Sequence, residues 1–525
     1  MKYIKTTAVF LGVLLAGYGC SDDFLEKQSL TDETESNFYQ TEQQALQALV
    51  SIYDALQYSN GRTADTYAPW DILNNILSDD AYTGGSGSGD RPGLVRMGTH
   101  QSVATDSEVL AAWEDRYVGI ARANLFLTKV DGITFTSPEI KNRYISEAKF
   151  LRANFYFQLV RLYGHVPLIL EPLAPSEFNE VVQAEPMDVY RQIATDLMEA
   201  INGNLPRASA LPANEYGRIT IAAAKGMLMK VYLYYEGYGK GVMGFTENLR
   251  TNQGTEITLQ MVQGYADDII TSGDYQLVPD FKNLWGVSNE VNSEFIFQVR
   301  FSDLRDWGDW GARNYSEGNW AAIMYGFRIQ SDNVYAEGWS FAPVTHSLVN
   351  LYADNDSRKA ASFVHESELN SFTEGYQHTG YAFKKFHPNI ADDPLSANRM
   401  LNQPFDRPDL RLADVLLMGA ELNLSTNMGK AREYFNAVYQ RATGTEFDGD
   451  LSLDVIFEER RREFAGEGQR YFDLMRRGLD YTAQQLEQIN LGGDFNVSFN
   501  PARKGLLPIP QREINLNPNL RQFVY

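Results

Sequence analysis

The chain has 525 residues, 44% hydrophobic and 22% charged, with a formal net charge of −22. This is a globular composition with ample apolar material for a core. The acidic balance excludes nucleic acid as a partner, since phosphates need a basic footprint, and excludes polybasic attachment to anionic lipid.

Lys2 and Lys5 precede a short apolar run from Ala8 to Ala16, then small residues and Cys20, the one cysteine in the chain. A positive start, a short apolar core and small residues before a boundary define a secretory signal peptide. The run falls short of the roughly 20 residues that span a bilayer as a helix. A signal ending in small residues and then cysteine resembles a bacterial lipoprotein signal. That resemblance implies cleavage before Cys20, lipid on its thiol and acylation of the new N-terminus. The alternative is an ordinary signal peptide with an incidental thiol. Ser21-Asp22-Asp23 resembles the surface-export tag of Bacteroidetes lipoproteins, with a solvated acidic linker as the alternative. We read residues 1–19 as signal peptide, 20–40 as lipidated N-terminus and tether, and 41–525 as a single domain.

Apolar residues spaced by three and four predict a helix over 41–59, with Thr41 as its N-cap. Residues 70–89 open as a helix and break at the tract from Gly84 to Gly89. That tract lacks the Gly-Lys-Ser/Thr of a phosphate loop and reads as a mobile surface loop. Strong helical patterns follow over 108–130, 139–163, 187–204, 220–237 and 261–272. The second is apolar on most faces and therefore central, and it stops at Gly164 and Pro167. Paired helices suggest stacked hairpins of the tetratricopeptide type, whose repeat is about 34 residues, although that repeat's signature is not clean here. From 277 to 408 the periodicity fades, apart from one alternating stretch, 294–300, that reads as a strand. Helices return over 409–424, 429–442 and 453–477. The expected fold is mostly α, with a helical scaffold over 41–276 and 409–480 and a loop-rich insert over 277–408 carrying little β. Such an insert is where function concentrates.

Enzyme signatures are missing. There is no His-Glu-x-x-His, no Gly-x-Ser-x-Gly and no Cys/His zinc set, and His165, His346 and His365 are far apart in sequence. Acidic residues are plentiful, but nothing marks two as a glycosidase pair. The expectation is a binding protein with no cofactor, no metal and no catalytic residues.

Several blocks together resemble the SusD/RagB family of Bacteroidetes outer-membrane lipoproteins. They include Cys20 to Glu26, Glu147 to Ala153 running on to Pro167, Gly217 to Thr220 and Ser272 to Leu277. Further on come Asn292 to Phe297, Arg411 to Met418, Glu459 to Leu474 and Leu507 to Pro510. The resemblance implies a SusD-like fold of tetratricopeptide-like hairpins. It also implies a non-enzymatic role: capture of a glycan at the cell surface, as a lid on a SusC-like TonB-dependent outer-membrane transporter. Peptide capture, as in the RagB branch, is the alternative. The mixed charges of 459–470 read as fold-holding ion pairs, with Glu467, Arg470 and Asp473 structural, and Arg218 and Arg411 likewise.

Sugar rings stack their C–H faces on flat aromatics and offer hydroxyls to polar side chains. Four of the seven tryptophans, Trp307, Trp310, Trp320 and Trp339, lie in the insert among Asp309, Tyr315 and Asn319. Each can pack the loops against the helices or stack on ligand, and the sequence leaves both open. Family members bring a second loop to the binding face, which adds Trp70 and Asp79-Asp80. The ligand-binding candidates are thus Trp307, Trp310, Trp320, Trp339, Tyr315, Asp309, Asn319 and Trp70.

The anchor is testable. Replacing Cys20 by Ala is expected to release the protein from membranes while leaving it folded, because no disulfide is lost and stable anchoring needs more than one acyl chain. Fractionation of cells lacking the transporter checks this; a Cys20→Ala protein still in the membrane fraction contradicts it.

Overall fold

The computed structural model describes residues 38–58, 69–304, 317–328, 334–386, 403–492 and 495–523. The expected signal peptide, Cys20 and the tether up to residue 37 lie outside the described residues, as do Trp307, Asp309, Trp310 and Tyr315. Helix accounts for 52% and strand for 7%, so the mostly α expectation holds.

The scaffold is a run of antiparallel helix pairs. Helix α1 is Glu42–Asp54, opened by Thr41 in a capping box with Gln44. Then come α2 (Trp70–Ile76), α3 (Pro92–Gly98), α4 (Ser107–Lys129) and α5 (Pro138–Tyr163). They continue with α6 (Pro186–Asn202), α7 (Ile221–Tyr234) and α8 (Leu259–Ile270). Each of α4 to α7 packs on the next. Ser137, Thr220 and Thr258 cap α5, α7 and α8 through their hydroxyls, satisfying N–H groups that a helix start leaves orphaned. From Ala148 onward α5 is buried on nearly every side, as its sequence predicts. Buried ion pairs staple the hairpins. Arg218 grips Glu147 at 2.8 Å, and Arg152 grips Asp196 at 2.7 Å.

Beyond α8, strand β1 (Phe295–Val299) appears where the alternation predicts it. Then follow the short helices α9 (Ala321–Met324), α10 (His346–Val349) and α11 (Arg358–Ser362). Strands β2 (Phe363–His365) and β3 (Tyr381–Phe383) form one antiparallel pair. Strand β4 (Arg407–Arg411) pairs antiparallel with β1, Arg411 opposite Phe295. The chain closes through α12 (Leu412–Asn423), α13 (Met428–Thr443), α14 (Leu453–Glu463), α15 (Arg470–Arg476), α16 (Leu479–Glu487) and α17 (Gln511–Leu516). One hydrophobic cluster runs through both helical blocks, from Ala45 to Ile509.

The sequence reading differs from this structure in four places. Residues 409–411, expected to start a helix, belong to β4 and complete a ladder with β1. The expected helix over 453–477 is two helices, because Gly466 sits at φ +82°, where only glycine is unstrained. Helix α3, which the Gly-rich tract obscures, starts at a proline in the first helical turn. Gly84 and Gly85 are not a mobile surface loop. They are buried, Gly85 N–H donates to the Ser340 carbonyl at 2.8 Å, and a Cβ on Gly84 would run into that same carbonyl.

A buried charge network joins the scaffold to the insert. Arg411 contacts Glu294 at 2.6 Å, Glu463 at 2.9 Å and Glu467 at 2.9 Å. Arg441 and Arg358 bind Glu463 from other directions, at 2.5 and 3.0 Å, and Lys385 binds Glu467 at 2.8 Å. Nearby, Arg470 clasps Asp79 with two bonds of 2.8 and 2.9 Å, and Arg461 holds Asp80 at 2.7 Å. Glu467, Arg470, Asp473, Arg218 and Arg411 are therefore structural, as the sequence predicts.

Burial works to raise the carboxyl of Asp79, but the guanidiniums of Arg461 and Arg470 outweigh it and hold it down to about 2. A folded-state value below the unfolded one stabilises above the unfolded pKa of about 3.9, and that contribution is lost as pH falls through the folded value. Asp79→Asn is expected to cost about 3–5 kcal/mol near neutral pH, because Arg470 stays buried with its acid gone. In urea melts from neutral pH down to about pH 2, the parent should lose this margin and the variant should not. Parallel acid profiles for the two proteins would refute it.

Candidate functional site

The insert and the chain leaving α2 together present a face assembled from four irregular segments. Leaving α2, residues 79–85 run beside 340–345: Thr345 N–H donates to the Asp80 carbonyl at 2.9 Å and Tyr82 N–H to that of Pro343 at 3.0 Å. Residues 323–328 fold against 338–341, with Trp339 N–H on the Ile323 carbonyl at 2.8 Å and Phe341 N–H on that of Met324 at 2.8 Å. Residues 372–378 close the set. Thr373 N–H bonds the Arg328 carbonyl at 2.7 Å, Tyr376 N–H bonds that of Gly85 at 2.8 Å, and the Gln377 side-chain carbonyl accepts from Thr83 and Gly84. The backbone polar groups are thus paired across segments that form no regular sheet, which fixes irregular loops in one shape.

At the rim, Trp339 and Tyr376 are half-buried. Arg328 meets Asp90 at 3.3 Å, and Asp90 also accepts from the Ser86 hydroxyl at 2.9 Å. Flat rings beside a guanidinium, a carboxylate and hydroxyls are the group types that hold a polar, partly apolar ligand. Among the described residues no cluster of three His, Cys, Asp or Glu has the placement to hold a metal ion.

The sequence-derived candidates scatter. Trp339 lies on this face. Trp320 is only 5% exposed and packs on Ile323 and Trp339. Asn319 is buried and structural: its amide donates to the Phe405 carbonyl at 2.8 Å, and its oxygen accepts from Ala321 N–H at 2.9 Å, where α9 begins. Trp70 is 7% exposed and sits in the core, stacked on Phe472 at 5.9 Å between ring centres with the Arg116 guanidinium 4.7 Å away. Asp79 and Asp80 are consumed by their arginines. Trp307, Asp309, Trp310 and Tyr315 fall in 305–316, outside the described residues; Ser302 N–H donates to the Glu317 carbonyl at 2.8 Å across its two ends. Arg328, Asp90 and Tyr376 escaped sequence reading because segments far apart in sequence bring them together.

Within the insert lies a carboxyl pair. Asp406 N–H donates to Glu290 at 3.0 Å, Phe301 N–H donates to Asp406 at 2.8 Å, and Arg300 pairs with Asp406 at 2.5 Å. Burial and then the neighbouring Asp406 charge push Glu290 up to about 8, while burial raises Asp406 to about 6 despite Arg300.

Two family models match the chain: one described as "SusD family" over residues 358–525, and one described as "Starch-binding associating with outer membrane" over residues 23–233. A solved structure titled a laminarin-binding SusD-like protein is 33% identical, spans 92% of this chain and 99% of its own, and superposes with a TM-score of 0.78. Surface glycan-binding protein A from Bacteroides thetaiotaomicron, in complex with laminarihexaose, is 26% identical over 92% of this chain and 100% of its own, with a TM-score of 0.79. A SusD-like protein of Formosa agariphila is 25% identical over 98% of both chains.

The Glu290–Asp406 pair gives a pH signature. The folded state keeps the Glu290 proton up to about 8, whereas an unfolded glutamate ionises near about 4.3. The native state therefore binds more protons in that window, and stability falls as pH rises through it. Glu290→Gln is expected to flatten this fall, read as melting temperature between pH ~5 and ~8. Equal slopes for parent and variant would count against the raised Glu290 carboxyl.

Proposed function

The chain belongs to the SusD-like family, and from that premise we propose that it captures a glycan at the cell surface and delivers it to a SusC-like TonB-dependent outer-membrane transporter. Lipid on Cys20 holds it to the outer membrane, facing outward. The observation that carries the reading is Trp339. It is a half-buried indole on a face of hydrogen-bonded loops, packed on buried Trp320, and Arg328, which pairs with Asp90, donates its N–H to the adjoining Ser340 hydroxyl at 3.0 Å. Such a ring stacks on a sugar C–H face while the charged and hydroxyl groups meet its hydroxyls. Relatives titled as binding laminarin and laminarihexaose support glucan oligosaccharides as the first ligands to try. Trp307 and Trp310 belong to the proposal as further platform residues.

Calorimetric titration with laminarin oligosaccharides tests it. Trp339→Ala should weaken binding more than tenfold, the effect of losing about 2 kcal/mol at a contact hot spot, with little change in melting. Trp320→Ala and Trp70→Ala should instead lower the melting temperature, since emptying a core tryptophan site costs about 3–5 kcal/mol. Trp307→Ala and Trp310→Ala are scored on the same two axes. If every tryptophan variant keeps parental affinity, the face is misassigned; if peptides bind and no glycan does, the capture of peptides replaces this reading.

A further inference from the structure

Behind the insert, between α5, α7 and α15, is a cavity of about 60 Å³. It is far smaller than the ~300–1,000 Å³ of small-molecule pockets, with room for on the order of four waters. Arg161 lines it and is only 9% exposed. Its guanidinium lies 3.8 Å from the Phe472 ring centre and 4.0 Å from that of Phe157, and its Nε–H donates to the Phe157 carbonyl at 3.2 Å. Among the described residues neither Nη group has a protein acceptor, and no carboxylate lies within ion-pair distance of Arg161. The acids lining the cavity are already matched. Asp409 is held by Arg407 at 3.0 Å, Glu467 by Arg411 and Lys385, and Asp473 by Arg460 and Arg476. A second orphan on the wall is also a donor, the Nδ2 of buried Asn154.

Buried charges are ordinarily paired, and buried donors ordinarily bonded. Here a fixed cation and an amide N–H₂ border the same small space, and neither has an acceptor. Water would satisfy the donors, whereas a small anion would satisfy them and add a direct counter-charge to those of Asp409 and Asp473, which act on Arg161 from beyond ion-pair distance. We propose that this cavity binds a small monovalent anion of halide size, held by the Nη groups of Arg161 and by Nδ2 of Asn154. Burial pushes the Arg161 guanidinium down to about 10, against the opposing pull of Tyr234, Tyr190, Asp409 and Asp473. The anion would complete the packing around Trp70 and Phe472 without touching the glycan face.

The test uses the full-length protein in detergent, melted in sodium chloride or sodium gluconate at equal ionic strength. Chloride should raise the melting temperature by about 2 °C or more in a saturating manner. In Arg161→Gln the chloride–gluconate difference should vanish. Crystals of the parent soaked in bromide should show an anomalous peak within contact distance of the Arg161 Nη atoms, and this arm stands even if Arg161→Gln fails to fold. A chloride–gluconate difference that persists in Arg161→Gln, or a bromide-soaked cavity holding water only, overturns the proposal.

Discussion

Arg411 is the residue on which the second half of the molecule converges. It stands at the junction of β4 and α12, opposite the start of β1, and its guanidinium bonds Glu294, Glu463 and Glu467 while fully buried. Glu463 in turn binds Arg441 of α13 and Arg358 of α11, so one carboxylate ties together three separate stretches of chain. Burial acts to raise its pKa, but the surrounding cations, Arg441 first among them, hold it well below the usual carboxylate range. Such a network contributes less net stability than its short distances suggest, because desolvation offsets most of the attraction. Its effect is geometric. Removing any one member strands the others in a dry interior, so the elements are held in one relative arrangement.

That constraint lets the insert be irregular without being loose. The Asp79–Arg470 and Asp80–Arg461 pairs fix the chain leaving α2, and that chain is the backbone partner of 340–345. Segments 323–328 and 372–378 are then added by main-chain bonds. A surface ring on such a base loses little conformational freedom on binding, which is how a shallow face gains affinity. The helical blocks act as the frame, and the proposed glycan platform is carried on loops whose shape the buried ions determine.

Much of the frame was legible in the sequence. Helices α4 to α8 announce themselves by apolar spacing, and the Thr41 cap by its position, because local physics decides both. The ionic role of Glu467, Arg470 and Asp473 was legible too, from acids and arginines mixed at helical spacing. The misreadings share one cause. Arg-Pro-Asp-Leu-Arg over 407–411 has no alternation to betray a strand, since two of its buried residues are arginines, Arg407 paired with adjacent Asp409 and Arg411 with acids far away in sequence. The helix break at Gly466 is fixed by Asn75, whose amide donates to the Gly466 carbonyl at 2.7 Å and accepts from Gly468 N–H at 3.1 Å. Trp70 and Trp339 have the same chemistry, and only the tertiary packing places one in the core and leaves the other at the rim.

The central claim is that ligand is met by the face of 334–341 and 372–378. Hydrogen–deuterium exchange of the full-length protein, with and without a saturating laminarin oligosaccharide, tests it most directly. The account predicts added protection in those two segments and in 83–90, with the helical scaffold unchanged. Protection confined to the scaffold, or none at all while calorimetry reports binding, would contradict it.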